Sequence, residues 1–244
     1  MDVTNHLCLD LSHSFVERLS VHVIHYTRLV ERREHMESVI TRHGLVGCNP
    51  EWMLEWDREE ILDAYEAGKW GEPSKITAGS VSLILKHLAV YRRVLEQPER
   101  LHLILEDDVL IEGGFVSKLK KAVNELRTPW DLFFIGLGCN LHVPWWKRRR
   151  GKTVYYRGWR PGWLWGGGGC SRCTEAYLIH PDFARRLLES RFGKPPFDRP
   201  IDWHLNAAGM ALEARSFWAE PPLVTQGAFE SWRKDPILNP GGRD

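Results

Sequence analysis

The chain has 244 residues, 43% of them hydrophobic, and its formal net charge is +1. This length and composition suit one large globular domain, and the near-neutral charge implies no bulk preference for nucleic acid or membranes. Five scattered cysteines argue against a disulfide framework and for a reducing compartment, so we predict a cytoplasmic location. No apolar run approaches the length of a transmembrane span, and the first 20 residues lack the features of a signal peptide.

Apolar periodicity and turn residues predict alternating strands and helices, which is typical of an α/β protein. The predicted elements, in chain order, are a strand at 21–25, a helix ending near 42, a helix at 57–65, a helix at 79–97, a strand at 101–105, a helix at 115–126, a strand at 131–137, a strand at 175–180, a helix at 182–191 and a strand at 212–217. The strands at 101–105 and 131–137 are separated by a helix, which indicates a parallel sheet with right-handed crossovers.

Three carboxylates, Glu106, Asp107 and Asp108, follow the strand at 101–105 without a break. Adjacent negative charges at the end of an apolar strand repel one another, and burial strengthens the repulsion, so we expect a positive group beside them. Carboxylate oxygens favour Mg²⁺ or Mn²⁺, which also hold substrate phosphates. Ligands of open α/β sheets bind outside the carboxyl ends of the strands, where this acid triplet falls. A solvated acidic turn is the alternative interpretation.

Residues 138–173 combine five tryptophans with many basic residues. Interleaved aromatic and basic side chains at 142–165 are consistent with a nucleic-acid surface or with a flexible loop over an anionic substrate. The glycine run at 166–169 lacks the Lys and Ser/Thr of a phosphate loop, so it predicts a hinge or a close approach. Cys170 and Cys173 form a lone CxxC, which we interpret as two packed thiols rather than a zinc or redox site.

Three segments resemble signatures of one enzyme family. VIHYTRLVERREHM at 23–36 is similar to a strand, an Asn-Leu pair and a helix with spaced arginines, with His-Tyr in place of Asn-Leu. GSVSLILKH at 79–87 keeps the Gly and the His of the second signature but has Ser80 in place of a Glu and Lys86 in place of a Ser. LILEDDVLIE at 103–112 is a close match to the acidic strand.

Four later segments extend the similarity: WDLFFIGLG at 130–138, TEAYLIHPDFARRLL at 174–188, PIDWHL at 200–205 and FWAEPPLVTQG at 217–227. In order and spacing, the segments between 21 and 227 resemble glycosyltransferase family 25, which includes bacterial lipooligosaccharide galactosyltransferases and collagen hydroxylysine galactosyltransferases.

The resemblance implies a GT-A-type, Rossmann-like α/β fold with a mostly parallel central sheet in a single domain at 21–227, between a lead-in at 1–20 and a tail at 228–244. It also implies a UDP-sugar donor, a Mn²⁺ or Mg²⁺ cofactor and inverting transfer of a hexose, galactose or glucose. The expected acceptor is a hydroxyl of a glycan or protein, and no nucleic acid is expected as a partner.

Inversion in one step needs a base for the acceptor hydroxyl, and Asp202 is the candidate catalytic residue. The alternative is that Asp202 caps a helix beginning at Trp203. Asp108 is the predicted principal metal ligand, completed by Glu106 and His204. The predicted donor-binding residues are Tyr26, Arg28, Arg33, His87, Glu106 and Asp107, because arginines pair with phosphates and the others lie at strand ends or beside the acidic strand.

Other interpretations stay open at this point. A core hydrogen bond is the alternative for His87, and a surface position is the alternative for His204. Trp163 and Trp165 are a candidate acceptor platform, with loop packing as the alternative. Ser80 and Lys86 favour a second function, a non-catalytic binding module with the same fold, and the Trp- and Arg-rich loop favours a third, nucleic-acid binding.

Overall fold

The computed structural model of the protein describes residues 14–158, 169 and 171–227. Its helices are α1 (Val30–Arg42), α2 (Arg58–Glu66), α3 (Ala78–Glu96), α4 (Phe115–Glu125), α5 (Pro181–Glu189) and α6 (Ile201–Ala211). Its strands are β1 (Leu19–Ile24), β2 (Glu51–Met53), β3 (Leu101–Glu106), β4 (Val109–Ile111), β5 (Leu132–Phe134), β6 (Val154–Tyr156), β7 (Ala176–Ile179), β8 (Ser216–Ala219) and β9 (Val224–Gln226). Among the helices described, none is long and apolar enough to cross a membrane.

Seven strands of the described residues form one mixed sheet in the order β2-β1-β3-β7-β5-β8-β6. β1 is parallel to β2 and β3, and β5 is parallel to β8, whereas β7 and β6 are antiparallel to their neighbours. Within this sheet most strands therefore point in one direction, which confirms the predicted mostly parallel α/β fold. β3 and β5 run parallel, as predicted, but the antiparallel β7 lies between them.

Helices cover both faces of the sheet because successive strand residues point to opposite sides. In β3, Leu103 and Leu105 join a core that includes Met36 of α1 and Leu119 of α4. Ile104 of the same strand joins the opposite core, to which α3, α5 and α6 contribute. This three-layer arrangement is Rossmann-like and leaves the ends of the strands open to a ligand.

The prediction of a last strand at 212–217 is wrong at its start. α6 continues to Ala211, Leu212 follows it as the C-cap, and Glu213 has a left-handed φ of 52° in the turn before β8. The small residues of α6 carry a weak periodic signal, which explains why the helix entered the sequence analysis only as an alternative beginning at Trp203 and without its end at Ala211. The tail at 228–244 and residues 1–13 of the lead-in lie outside the described residues.

A two-stranded antiparallel sheet brings the end of the described chain back to the acid triplet. β4 directly follows the triplet and pairs with β9, with Val109 opposite Gln226. Gly227 donates its backbone N–H to the Asp108 carbonyl at 2.7 Å. This pairing places Gln226 beside carboxylates that are more than 100 residues earlier in the sequence.

Candidate active site

The acid triplet lies where two parallel strands end side by side. Ile24, the last residue of β1, is in register with Glu106, the last residue of β3. The first turns of α3 and the segment after β1 complete a cavity of about 220 Å³. Besides the three acids, its lining includes Tyr26, Leu29, Arg32, Arg58, Ser82, Leu83, Lys86 and Gln226.

Asp107 is buried and paired with the protein's own donors. Its Oδ1 accepts a hydrogen bond from Arg32 Nη1 at 2.8 Å, and its Oδ2 accepts from His25 Nδ1 at 2.7 Å and from the Tyr26 backbone N–H at 3.3 Å. Burial raises the pKa of Asp107, but the hydrogen bond from His25 and the charge of Arg32 outweigh burial and hold it below its usual value. Asp107 is therefore an ionised, structural member of the triplet.

Asp108 is buried as well but is incompletely paired. Its Oδ2 accepts from Arg32 Nη1 at 3.2 Å and from Gln226 Nε2 at 3.0 Å. Its Oδ1 is buried and has no hydrogen-bond partner among the described residues. Burial and the charge of Glu106 raise the pKa of Asp108 to about 7. This oxygen is the acceptor in the triplet that remains available for a cation or a proton donor.

Glu106 lines the same cavity, but its partners come from other segments than those of the two aspartates. Its Oε1 accepts from Thr174 Oγ1 at 2.7 Å, and His87 Nε2 lies 3.6 Å from the same oxygen. His87 is fully buried, and its Nδ1 is hydrogen-bonded to Tyr177 OH at 2.8 Å. His87 therefore makes the core hydrogen bond that the alternative interpretation expected. Its other ring nitrogen points to Glu106, so any effect of His87 on a donor sugar would be indirect, through Glu106.

Arg32 supplies the positive charge that the triplet was expected to need. It is buried and contacts both Asp107 and Asp108. The sequence contains a signal for it, because Arg32 is in helical phase with the buried Met36, Val39 and Ile40 of α1. A cation on the apolar stripe of a helix must meet an anion in the core.

Of the other predicted donor-binding residues, some line the cavity and others lie outside it. Tyr26 lines the cavity, and its hydroxyl donates to Glu59 at 2.6 Å and accepts from Arg58 Nε at 2.9 Å. Arg28 is exposed and lies 3.5 Å from Glu59. Neither Arg28 nor the second predicted arginine lines the cavity, whereas Arg58, which the sequence pattern did not suggest, does.

Arg33 lies on the outer side of α1. Its Nε is 2.6 Å from Glu37, one turn along the helix, and its guanidinium lies 3.5 Å above the Trp52 ring. These contacts occupy Arg33 away from the acid triplet. The adjacent arginines of α1 thus differ sharply in environment, since Arg32 is inside the core and Arg33 packs on the surface.

His204 is placed apart from the predicted metal ligands. It is buried in α6, its Nε2 is hydrogen-bonded to the Phe192 carbonyl at 2.8 Å, and its ring packs edge-on against Phe192 and Phe197. Burial lowers the pKa of His204, so the ring stays neutral. These contacts explain His204 as a core residue.

Asp202 lies in the first turn of α6, which begins one residue earlier, at Ile201, with Pro200 as the N-cap. The helix therefore begins two residues earlier than the alternative interpretation expected, but the Asp202 carboxylate does accept hydrogen bonds from the backbone N–H groups of Trp203 and of Asp202 itself in its first turn. Burial raises the pKa of Asp202, and the charge of Glu106 raises it further. This effect of Glu106 indicates that the Asp202 carboxylate lies within electrostatic range of the acid triplet.

Glu175 is a buried carboxylate that the sequence analysis did not single out. Its Oε1 accepts the Gly138 N–H at 2.5 Å. Burial raises the pKa of Glu175 to about 7, and the charge of Glu106 contributes. Asp108 and Glu175 are thus partly protonated near neutral pH, and such shifted pKa values are typical of functional sites.

Lys86 and Ser80 occupy the two positions that depart from the family pattern. Lys86 is buried, its Nζ is 2.7 Å from Asp57, and it donates to the Leu54 and Glu55 carbonyls at 3.2 and 2.8 Å. Ser80 donates its N–H to Thr77 Oγ1 at 3.1 Å, which caps the start of α3. Lys86 thus stabilises the cavity wall, whereas the capping bond at Ser80 uses its backbone N–H and not its side chain.

The residues fit a divalent cation that arrives with phosphate. Among the residues described, no group of three or more His, Cys, Asp or Glu side chains is arranged to hold a metal ion. Mg²⁺ and related ions are commonly held by one or two carboxylates, with the remaining ligands from phosphates and water. The unpaired Oδ1 of Asp108 supplies one such ligand.

The described part of the loop at 142–165 presents aromatic and basic side chains to solvent. Trp145 and Trp146 are 77% and 56% exposed, and the run Lys147 to Arg150 that follows is exposed too. Trp163 and Trp165 lie outside the described residues, so the proposed acceptor platform stays a prediction.

Comparison with known proteins found similarity to glycosyltransferases. No protein-family model matches it. Procollagen galactosyltransferase 2 from Homo sapiens is 30% identical over 80 residues, which cover 32% of this chain and 12% of that protein. Inactive glycosyltransferase 25 family member 3 from Homo sapiens is 26% identical over 128 residues, or 48% of this chain and 21% of that protein.

The matched segments thus span at most about a fifth of these relatives' own length. The similarity concerns part of each protein, and the relatives include one described as a galactosyltransferase and others described as inactive or probably inactive. The chain is thus similar, over these segments, to proteins of glycosyltransferase family 25, the family whose motifs its own segments resemble.

Proposed function

We propose that the protein is an inverting, GT-A-type glycosyltransferase that transfers galactose or glucose from a UDP-sugar to a hydroxyl of a glycan or protein. The observation that carries the proposal is the cavity at the ends of β1 and β3, where Asp108 keeps a buried carboxylate oxygen without a partner among the described residues. The similarity to a galactosyltransferase supports the choice of reaction class.

The cavity has the mixed lining that a nucleotide needs. Leu29 and Leu83 offer apolar surface, and the Tyr26 ring offers a flat face for a base. Arg58 brings a guanidinium to the same wall, where it lies 4.6 Å from the Tyr26 ring. Guanidinium groups match the geometry of phosphate oxygens, so Arg58 replaces Arg28 and Arg33 as the proposed diphosphate contact.

A Mn²⁺ or Mg²⁺ ion bound with the donor would be held by Asp108 Oδ1 and, across the triplet, by Glu106. Such an ion supplies Lewis-acid stabilisation of the negative charge that develops on the leaving diphosphate. Arg32 keeps Asp107 ionised and oriented, and Asp107 in turn fixes His25 at the end of β1. Glu106 is oriented by Thr174.

Asp202 is the proposed base that accepts the proton of the acceptor hydroxyl. Its raised pKa, which burial causes, brings its basicity closer to that needed at neutral pH than an exposed Asp offers. The negative charge of Glu106 contributes to this raised pKa, so Asp202 binds a proton more readily than an exposed Asp does. The rate of transfer should therefore rise with pH through the raised pKa of Asp202.

We expect Asp202→Asn to reduce transfer by about 10²- to 10⁴-fold, because the amide cannot accept the proton. Donor binding, measured as the thermal shift with UDP and Mn²⁺, should be unchanged. Asp198→Asn is the matched control, because Asp198 is an exposed acid paired with Arg199 just before α6. Near-normal turnover by Asp202→Asn would remove the residue from the mechanism.

The deciding experiment is a panel of nucleotide sugars incubated with Mn²⁺ and scored for released nucleotide. Release from UDP-galactose or UDP-glucose, stimulated by an acceptor, is the expected result. Failure of all donors to be turned over would contradict the enzymatic proposal.

A non-catalytic binding module is the second candidate, and a specific observation favours it. Two of the relatives are described as inactive or probably inactive members of the family, and Ser80, in place of the family Glu, has its hydroxyl 3.0 Å from Thr77 Oγ1. A module of this kind would show a thermal shift with UDP and Mn²⁺ but no nucleotide release.

A further inference from the structure

Two cysteines that are far apart in the sequence meet beside the candidate active site. The Sγ atoms of Cys139 and Cys173 are 3.2 Å apart. Cys139 lies in the turn after β5 and is exposed, whereas Cys173 precedes β7 and is half-buried. The sequence spacing had grouped Cys173 with Cys170, which lies outside the described residues.

Three contacts hold the two cysteine-bearing segments together. A Cβ added to Gly138 would lie 2.0 Å from the Arg172 carbonyl oxygen and 2.7 Å from the Cys173 Cβ, so the close approach requires glycine here. Gly138 donates its N–H to Glu175, and Arg172 Nε donates to the Leu141 carbonyl at 2.7 Å. The proximity of the thiols is therefore imposed by their backbones.

The backbone at both cysteines supports this interpretation. Cys139 has a φ of 52° and Cys173 a φ of 61°, in the left-handed region that side chains with a Cβ rarely adopt. Such conformations persist where surrounding contacts impose them, and they cluster at sites with a function. Here they aim two thiols from different loops at each other.

We propose that Cys139 and Cys173 form a reversible disulfide, with a hydroperoxide as the oxidant. The separation of the sulfurs must fall from 3.2 Å to about 2.05 Å, a movement of roughly 1 Å that side-chain rotation in the exposed turn can supply. This pairing makes the dithiol a covalent modification site next to the acid triplet.

The two thiols have different roles in the reaction. Burial and the hydrogen bond to Cys139 raise the pKa of the Cys173 thiol, so Cys173 keeps its proton and donates it toward the exposed Cys139 sulfur. Cys139, as the thiolate, attacks the peroxide: an S–O bond forms, the O–O bond breaks, and an alcohol or water leaves, which produces a sulfenic acid.

Cys173 then attacks the Cys139 sulfur. The S–S bond forms, the S–O bond breaks, and the hydroxyl leaves as water with the Cys173 proton. The two sulfurs lose two electrons, and the peroxide gains them.

The disulfide would restrain the acid triplet as well as the two loops. Thr174, the residue after Cys173, donates its hydroxyl to Glu106 at 2.7 Å. A bond at Cys173 limits the movement of this contact relative to β5. The inference stands on the geometry of the thiols and does not depend on the proposed glycosyl transfer.

The test treats the full-length protein with stoichiometric hydrogen peroxide and maps its peptides by mass spectrometry without reduction. The expected result is a linked peptide pair containing Cys139 and Cys173, lighter by two hydrogen atoms and released by dithiothreitol. The link closes a loop whose ends are 34 residues apart in sequence, so the oxidised protein should melt roughly 5–10 °C above the reduced protein.

Three variants make the assignment specific. Cys139→Ser should abolish the linked pair and the rise in melting temperature, whereas Cys48→Ser, which alters a buried cysteine elsewhere, should leave both unchanged. Cys170→Ser should still form the link. A disulfide between Cys170 and Cys173, or sulfinic acid at Cys139 without a link, would overturn the proposal.

Discussion

Asp108→Asn is expected to raise the stability of the protein while abolishing its catalytic turnover. In the folded chain, burial and the charge of Glu106 raise the pKa of Asp108 from 3.8 to about 7, so ionised Asp108 is unfavourable at neutral pH in the absence of a cation. The amide has nearly the same shape and no charge. We expect a gain of a few kcal/mol in the free energy of unfolding at pH 7.

The pKa of Asp108 in the unfolded and in the folded chain determines how the stabilisation by Asp108→Asn changes with pH. The unfolded chain loses the Asp108 proton near pH 4, whereas the folded chain holds it up to about pH 7. The folded state therefore binds more protons between these values, and this group's contribution to stability falls as the pH rises through that window. The Asn variant lacks this fall, so the difference in melting temperature between variant and wild type should grow from pH 4 to pH 7.

The same substitution should remove function, because it removes the unpaired carboxylate oxygen of the cavity. We expect nucleotide-sugar turnover to fall by about 10²-fold or more, and the stabilisation by UDP with Mn²⁺ to disappear. The measurements are thermal melts with and without ligand and a nucleotide-release assay on the same preparation.

Asp107→Asn is the matched control with the opposite expected sign. Asp107 has a lowered pKa in spite of burial, because His25 and Arg32 bind its carboxylate. Losing this charge removes the carboxylate that pairs with Arg32 at 2.8 Å and with His25 at 2.7 Å, which should cost roughly 3–5 kcal/mol. Equal changes in stability for the two neighbouring variants would contradict the electrostatic description of the triplet.

The second large effect is expected at Arg32. Arg32→Met keeps the aliphatic stem but leaves two buried aspartates without their shared cation. Removing one partner of a buried ionic cluster typically costs about 3–5 kcal/mol, so the melting temperature should drop by roughly 10 °C. The loss should lessen at acid pH, where the aspartates become protonated.

Arg33→Met provides the control, since it changes the next residue of the same helix in the same way. Arg33 packs over Trp52 and pairs with Glu37 at the surface, and contacts of this kind contribute about 1 kcal/mol or less. A small effect at Arg33 beside a large one at Arg32 is the expected outcome. Similar losses of stability for both variants would show that the total charge of α1 is responsible, and not the buried position of Arg32.

The local pattern of apolar residues was sufficient to predict most of the helices and strands. The stripe at 79–97 became α3, and the apolar run at 101–105 became β3, because helix and strand periodicity depend on neighbours within a few residues. The position of β7 between β3 and β5 did not follow from local pattern. Strand order depends on which side chains pack between distant segments, and all four residues of β7 are buried in this central position.

The residues of the candidate site likewise fall into those that the sequence predicted and those that only the structure revealed. The acid triplet and its need for a positive group were evident from three adjacent carboxylates after an apolar strand. The choice of Arg28 and Arg33 followed from proximity in the sequence, whereas the buried contact is made by Arg32. Helical phase distinguishes Arg32, because it lies on the same stripe as the buried Met36 and Ile40.

The sequence by itself determined the α/β class, the place of the acid triplet at the end of a strand and the family that the chain resembles. Only the tertiary structure decided which partner each carboxylate has. Gln226 reaches Asp108 through the pairing of β4 with β9, and Cys173 meets Cys139 across two loops. Local propensities act along the chain, but the pairing of a buried charge or thiol depends on segments that folding alone brings together.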